Sequence, residues 1–181
     1  MRIEAGKAFL LIVDVQARLL PVMVQPERVL ANCRVLIKAA EALDLPIVQT
    51  QQYPKGLGPT VPELETQNAM IFDKLAFSVW GDDPLRVHLR KMREAGFTQV
   101  VMAGIEAHVC VLQSALDLKA AGFEVFVVAN AVSSRAQESA ELALARVMQH
   151  DVDVVNVEMA VFELAGKAGT PEFKALSALI K

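Results

Sequence analysis

The chain has 181 residues, 54% of them hydrophobic, and a formal net charge of -3. That length supports a full core, so one domain spanning 1–181 is expected. An acidic balance with scattered Lys and Arg argues against a nucleic-acid binder, and no apolar run approaches the roughly 20 residues that cross a membrane. Two cysteines, Cys33 and Cys110, are too few for a disulfide framework, which predicts a reducing, cytoplasmic setting. The three histidines, His88, His108 and His150, are dispersed and no CxxC occurs, so no structural zinc is expected.

Apolar runs alternate with amphipathic stretches from end to end. Phe9-Leu10-Leu11-Ile12-Val13 is unbroken, the pattern of a parallel strand covered on both faces. The run that starts at Ala8 stops at Asp14 with no small-residue cleavage site, so it is not read as a signal peptide. Pro26 to Leu43 carries Val29, Cys33, Leu36, Ile37 and Ala40 at helical spacing. Pro46-Ile47-Val48 predicts a second strand, and the Pro- and Gly-rich Tyr53 to Pro62 predicts a functional loop. Its Gly56-Leu57-Gly58 has Val61 where a dinucleotide motif needs a third glycine, so no nucleotide site is read there.

Further along, Asp83-Pro84 opens a helix that Gly96 closes, and Val100 to Met102 is a central strand. Cys110 to Ala121 predicts a helix closed by Gly122, followed by a strand from Phe123 to Ala129. Ser134-Arg135-Ala136-Gln137 has the form of a capping box for a helix reaching about Gln149. Asp153 to Val157 predicts a strand, and Thr170-Pro171-Glu172 caps a last helix running to the C-terminus. Strands alternating with helices at this spacing imply right-handed βαβ units, a mostly parallel sheet between helix layers, and ligands at the strand carboxyl ends.

Three residues stand out against that frame. Asp14 and the turn before Cys110 both fall at strand ends, where a carboxylate beside a thiol can serve as its general base. A cysteine at a helix start gains thiolate character from the helix dipole, whereas Cys33 lies on an apolar stripe that fits core packing. Lys74 follows the apolar segment Met70-Ile71-Phe72-Asp73 and taken alone reads as a surface lysine. His108 lies two residues from Cys110 without having to face it, so it is left unassigned.

Leu11-Ile12-Val13-Asp14-Val15-Gln16, Lys74-Leu75-Ala76-Phe77-Ser78 and Gly104-Ile105-Glu106-Ala107-His108-Val109-Cys110 together resemble the motifs of isochorismatase-like cysteine hydrolases. Ala131-Val132-Ser133-Ser134-Arg135 resembles a further family segment, and Gln51 to Leu64 is similar to the branch called isochorismatase domain-containing proteins. The resemblance implies a three-layer α/β/α sandwich in which Asp14 takes the thiol proton of Cys110 and Lys74 keeps Asp14 ionised and helps to position substrate or water. It further implies a cis peptide at Ile105-Glu106, with the backbone N–H groups of Glu106 and Cys110 facing the developing oxyanion. Metal-binding nicotinamidases of the superfamily carry an aspartate and histidines after the second strand. Here Gln49-Thr50-Gln51-Gln52-Tyr53 stands there, so neither metal nor other cofactor is expected. Isochorismatases proper generally lack the cysteine, which places vinyl-ether cleavage behind hydrolysis of a small amide or acyl substrate. A slow or inactive binding scaffold is the other alternative. The high apolar fraction and the habits of related hydrolases also predict a homo-oligomer.

Overall fold

In the computed structural model, which describes residues 1–180, a six-stranded parallel sheet lies between two helical layers. The chain passes through β1 (Ala8–Val13), α1 (Pro26–Ala42), β2 (Ile47–Gln52), α2 (Pro54–Leu57), β3 (Ala69–Lys74), α3 (Asp83–Glu94) and β4 (Gln99–Ile105). A π-helical turn at Ala107–Val111 then leads into α4 (Leu112–Ala120). β5 (Glu124–Ser133), α5 (Gln137–Met148), β6 (Asp153–Val155), α6 (Val157–Ala165) and α7 (Pro171–Ala178) complete it.

The unbroken apolar run of β1 is explained by its two faces. Leu10 and Ile12 pack into one cluster with Val29, Cys33 and Leu36 of α1 and with α6. Phe9, Leu11 and Val13 pack into the other with Leu89 of α3 and Ala115 of α4. Successive side chains point to opposite faces, so a strand covered on both needs apolar residues at every position. Truncating a side chain such as Leu11 to Ala in this setting costs about 2–5 kcal/mol.

The sheet order is β3-β2-β1-β4-β5-β6, so the chain winds outward from β1 in one direction and then returns to start at β4 in the other. The connections leaving β1 and β4 therefore diverge, and a crevice opens at their carboxyl ends. Val13 pairs with Gly104, which places Asp14 beside the segment from Ile105 to Cys110. Gly104 has φ 117, and a side-chain carbon there would overlap the backbone of Val13. Only glycine fits this close approach of the two site-bearing strands.

Several boundaries depart from the sequence-based expectations. β2 continues to Gln52 because its polar second half is buried and hydrogen-bonded at the site. β3 is an edge strand with Met70 and Ile71 half-exposed, so it lacks the inside–outside alternation that marks a strand in sequence. The loop after β2 contains the single turn α2. β5 extends to Ser133, while β6 stops at Val155 because Asn156 starts α6, its side chain accepting from Met159 N at 2.7 Å. α6 is apolar almost all round and so has no one-sided stripe to read. Asp82 rather than Asp83 stands at the α3 cap position, a shift of one residue. The capping box before α5 does not form: Ala136 is the cap residue and Ser134 bonds elsewhere. Thr170 does cap α7, accepting from Phe173 N at 3.1 Å, but the helix ends at Ala178. The C-terminal residue Lys181 lies outside the described residues.

Candidate active site

Asp14 leaves β1 in the left-handed region, at φ 51, a conformation that aspartate tolerates better than most residues. The turn points a fully buried carboxylate into the crevice. Its Oδ1 accepts from Thr50 Oγ1 at 2.7 Å, and its Oδ2 lies 2.7 Å from Lys74 Nζ. Thr50 belongs to β2 and Lys74 is the last residue of β3, so three adjacent strands meet around this one group.

Lys74 is as enclosed as its partner, both side chains of the pair being fully buried. Its ammonium donates to Gln52 Oε1 at 2.7 Å, Phe77 O at 3.0 Å and Ala76 O at 3.3 Å. Those three acceptors match its three protons. The Asp14 contact is a close ion pair without hydrogen-bond alignment, and Oδ2 has no aligned donor. Lys74 is therefore no surface lysine; burial of the β3 end hides what its sequence neighbours do not reveal. Gln52 is itself held at both ends. Its side-chain amide donates to Leu75 O at 2.8 Å, and its backbone N–H donates to Gln16 Oε1 at 2.8 Å.

Cys110 sits inside the π turn, one turn into the helical stretch rather than at its opening. Turns of this kind occur often at functional sites. Its thiol lies within interaction range of both Asp14 and Lys74. Burial foremost, then the negative charge of Asp14, pushes the thiol up to about 12, with Lys74 pulling the other way. The resting group is thus a neutral thiol, and a helix start does not make it a thiolate here. A neutral thiol becomes a nucleophile only by handing over its proton to a neighbouring group.

The turn that carries Cys110 is tied down from the next strand. The Ile105-Glu106 peptide is cis, as the family resemblance implies. Glu106 O accepts from Val109 N at 3.1 Å and Val111 N at 3.2 Å, which closes the turn. The Glu106 carboxylate accepts from Arg135 Nε at 3.0 Å and from the Arg135 backbone at 3.3 Å. His108 Nδ1 and Ser134 Oγ are 2.9 Å apart. His108 therefore binds Ser134, and the hydroxyl read in sequence as a cap is an anchor of the site. Gln16 reaches back from the β1 end, donating to Gln52 O at 3.0 Å and Gly58 O at 2.6 Å.

Sequence reasoning picked out Asp14, Lys74 and Cys110 and missed Thr50, Gln52, Gln16 and the His108–Ser134 and Glu106–Arg135 pairs. A run of amides and a hydroxyl at a strand end, where apolar residues would be cheaper to bury, is the signal that was present for Thr50 and Gln52. A surface cavity of about 320 Å³ borders Tyr53, Lys55, Lys74 and Leu75, on the β3 side of the ion pair. At the β2 end the polar side chains are neutral, with Thr50, Gln52 and the Gln49 nitrogen bonded to Asp14, Lys74 and Leu64 O and only Gln49 Oε1 buried without a partner, a poor donor set for a divalent metal. Among the described residues no three His, Cys, Asp or Glu side chains are grouped to hold one.

The parallel three-layer fold, with its polar site at the switch point, defines a doubly wound α/β protein with a candidate active site in its crevice. The chain belongs to the isochorismatase family: the family model "Isochorismatase domain" matches residues 8–159. The secreted isochorismatase effector Isc1 of Phytophthora sojae is 37% identical over 185 residues, covering 99% of this chain and 87% of that protein. Isochorismatase domain-containing protein 2 of Danio rerio is 36% identical over 179 residues, covering 99% and 89%. Among solved structures, MAR1 ribonuclease from Caenorhabditis elegans superposes with a TM-score of 0.91 at 36% identity, covering 99% and 92%. The Escherichia coli YcaC gene product, described as an octameric hydrolase of unknown specificity, gives 0.91 at 26% identity, covering 99% and 89%.

Proposed function

We propose that this chain is a cysteine-dependent hydrolase of a small amide or related acyl substrate. One observation carries the reading: a buried carboxylate, paired with a buried ammonium, holds an oxygen without an aligned donor next to a neutral thiol. Cys110 attacks the substrate carbonyl as its proton passes to Asp14. The oxyanion is received by the backbone N–H groups of Glu106 and Cys110. Collapse expels the amine with the proton from Asp14 and leaves a thioester; water then attacks, Asp14 takes a proton from it, and the acid leaves as Cys110 regains its hydrogen. Lys74 acts throughout as the fixed counter-charge.

Two other readings are weaker. A binding scaffold has no use for an ion pair buried beside a thiol, since desolvating two charges costs more than an apolar filling. Phosphodiester cleavage, which the name of the C. elegans relative brings to mind, sits poorly on a chain of net charge -3 whose buried site lysine is already paired. The test is turnover of a panel of small amides, with an RNA arm, by the wild type and Cys110→Ala. Amide hydrolysis that falls at least about a thousandfold in the variant supports the reading. RNA cleavage that survives in Cys110→Ala overturns it.

The reading includes one domain acting as part of a homo-oligomer in a reducing, cytoplasmic setting. Support for assembly comes from Met70, Ile71, Leu75 and Phe77, large apolar side chains left exposed along the β3 edge. A second copy is the natural cover for such an edge, and light scattering reports whether it is there. The setting rests on two unpaired, buried cysteines. Among the described residues no helix is long and apolar enough to cross a membrane.

A further inference from the structure

Gln52 is a buried amide that no sequence motif marks as functional, yet it makes the shortest hydrogen bond to Lys74, at 2.7 Å. Its oxygen takes one ammonium proton, and the carbonyls of Phe77 and Ala76 take the other two. The consequence falls on Asp14. Gln52, Phe77 and Ala76 compete with Oδ2 for the three protons of Lys74, so the 2.7 Å ion pair supplies charge to Oδ2 without an aligned hydrogen bond. These two contributions act differently on a base. A nearby positive charge keeps the carboxylate ionised, whereas a proton shared into its lone pair also blocks the position at which it must accept another.

We propose that Gln52 is a positioning residue for proton transfer: by occupying one donor of Lys74 it keeps Asp14 Oδ2 open to the proton of Cys110. The inference rests on the reading of Asp14 and Cys110 as base and nucleophile. An amide suits the task for a reason of charge. A carboxylate at this position would compete with Asp14 for the buried ammonium of Lys74, and an apolar side chain would release a proton of Lys74 toward Oδ2. The amide can hold its place because its nitrogen donates to Leu75 O and its backbone is clamped by Gln16. The charged and titratable groups facing the pair are Asp14 from the end of β1, Lys74 from β3 and Cys110 from the π turn. Lys55 of α2 borders the same cavity as Lys74, and the acidic groups nearby have partners of their own. Asp73 accepts from Gln51, Asp82 from the amides of Leu75 and Ala76, and Glu106 from Arg135.

The experiment follows the rate at which iodoacetamide modifies Cys110, located by mass spectrometry, as pH rises from acidic to neutral in the full chain. It compares wild type, Gln52→Glu, Gln52→Met and Asp14→Asn, and needs no knowledge of the substrate. Gln52→Glu adds a negative charge beside Asp14, so the acidic limb of the profile is expected to move up by about one pH unit. Gln52→Met frees a proton of Lys74 for Oδ2, so the limb is expected to move down and labelling at neutral pH to slow. Shifts of opposite sign support the proposal. Slower labelling in both variants with the limb unmoved marks a merely structural glutamine and overturns it. Should Gln52→Glu not fold, the direction found for Gln52→Met decides alone. An Asp14→Asn protein that keeps the wild-type limb overturns the underlying assignment of Asp14 instead, whatever Gln52 does.

Discussion

The two cysteines are nearly alike by the measures most often used to find a nucleophile. Cys33 is 0% exposed and Cys110 5%, and burial pushes both thiols up to about 12. Their neighbours differ. Cys33 sits on α1 in an apolar cluster, its sulfur 3.7 Å from Ala131 O, with burial alone acting on it. Cys110 faces a carboxylate and an ammonium across the switch point of the sheet. On the proposed reading, burial and proton affinity therefore do not separate the two thiols; a carboxylate within reach of Cys110 does. A low thiol pKa is one route to nucleophilicity, and a neutral thiol with a proton acceptor is another.

That contrast can be broken at Lys74. Lys74→Met strips the counter-charge from a fully buried carboxylate, so the protein is expected to lose about 3–5 kcal/mol of stability in denaturant titration. On the proposed mechanism, hydrolase activity should be lost with it. No comparable partner exists at Cys33, and Cys33→Ala should cost only about 1 kcal/mol, from a lost sulfur in a packed cluster, with hydrolase activity kept. A loss of activity in Cys33→Ala comparable to that in Cys110→Ala would erase the distinction.

A further effect is one the two residues share. Each thiol is raised from 9.0 to about 12 in the folded protein, so above pH 9.0 the unfolded chain gives up protons that the folded chain keeps. Folded stability from this source is complete below the unfolded value and falls as pH rises toward about 12. The urea midpoint should therefore drop through that alkaline window, and Cys33→Ala should flatten the drop. An unchanged slope in that variant would show that Cys33 is not held as a neutral thiol.

The sequence was most legible where one physical demand acts on a whole run of residues. The strands covered on both faces, β1 and β4, are continuous apolar runs, and α1 shows its buried stripe through Val29, Cys33, Leu36 and Ile37. Asp14 and Cys110 could be placed together because each follows such a strand. Lys74 owed its selection to the family resemblance, since an exposed edge strand leads into it and local patterning points to the surface. Gln52 and Thr50 were read only for what they are not, namely metal ligands. Amides and hydroxyls carry no charge or nucleophile to mark them, and their importance arises only when the fold brings Asp14 and Lys74 within 2.7 Å. Ser134 shows the opposite error. Its local pattern fits a helix cap, but the competing partner, His108, lies 26 residues away in sequence, beyond the reach of any local rule.

Competitive labelling of the two cysteines in the native protein tests the central claim most directly. Iodoacetamide should modify Cys110 ahead of Cys33, hydrolase activity should fall in step with that modification, and Asp14→Asn should slow labelling at Cys110 while leaving Cys33 untouched. Cys33 labelled as fast as Cys110, or full activity after Cys110 is blocked, would contradict the account.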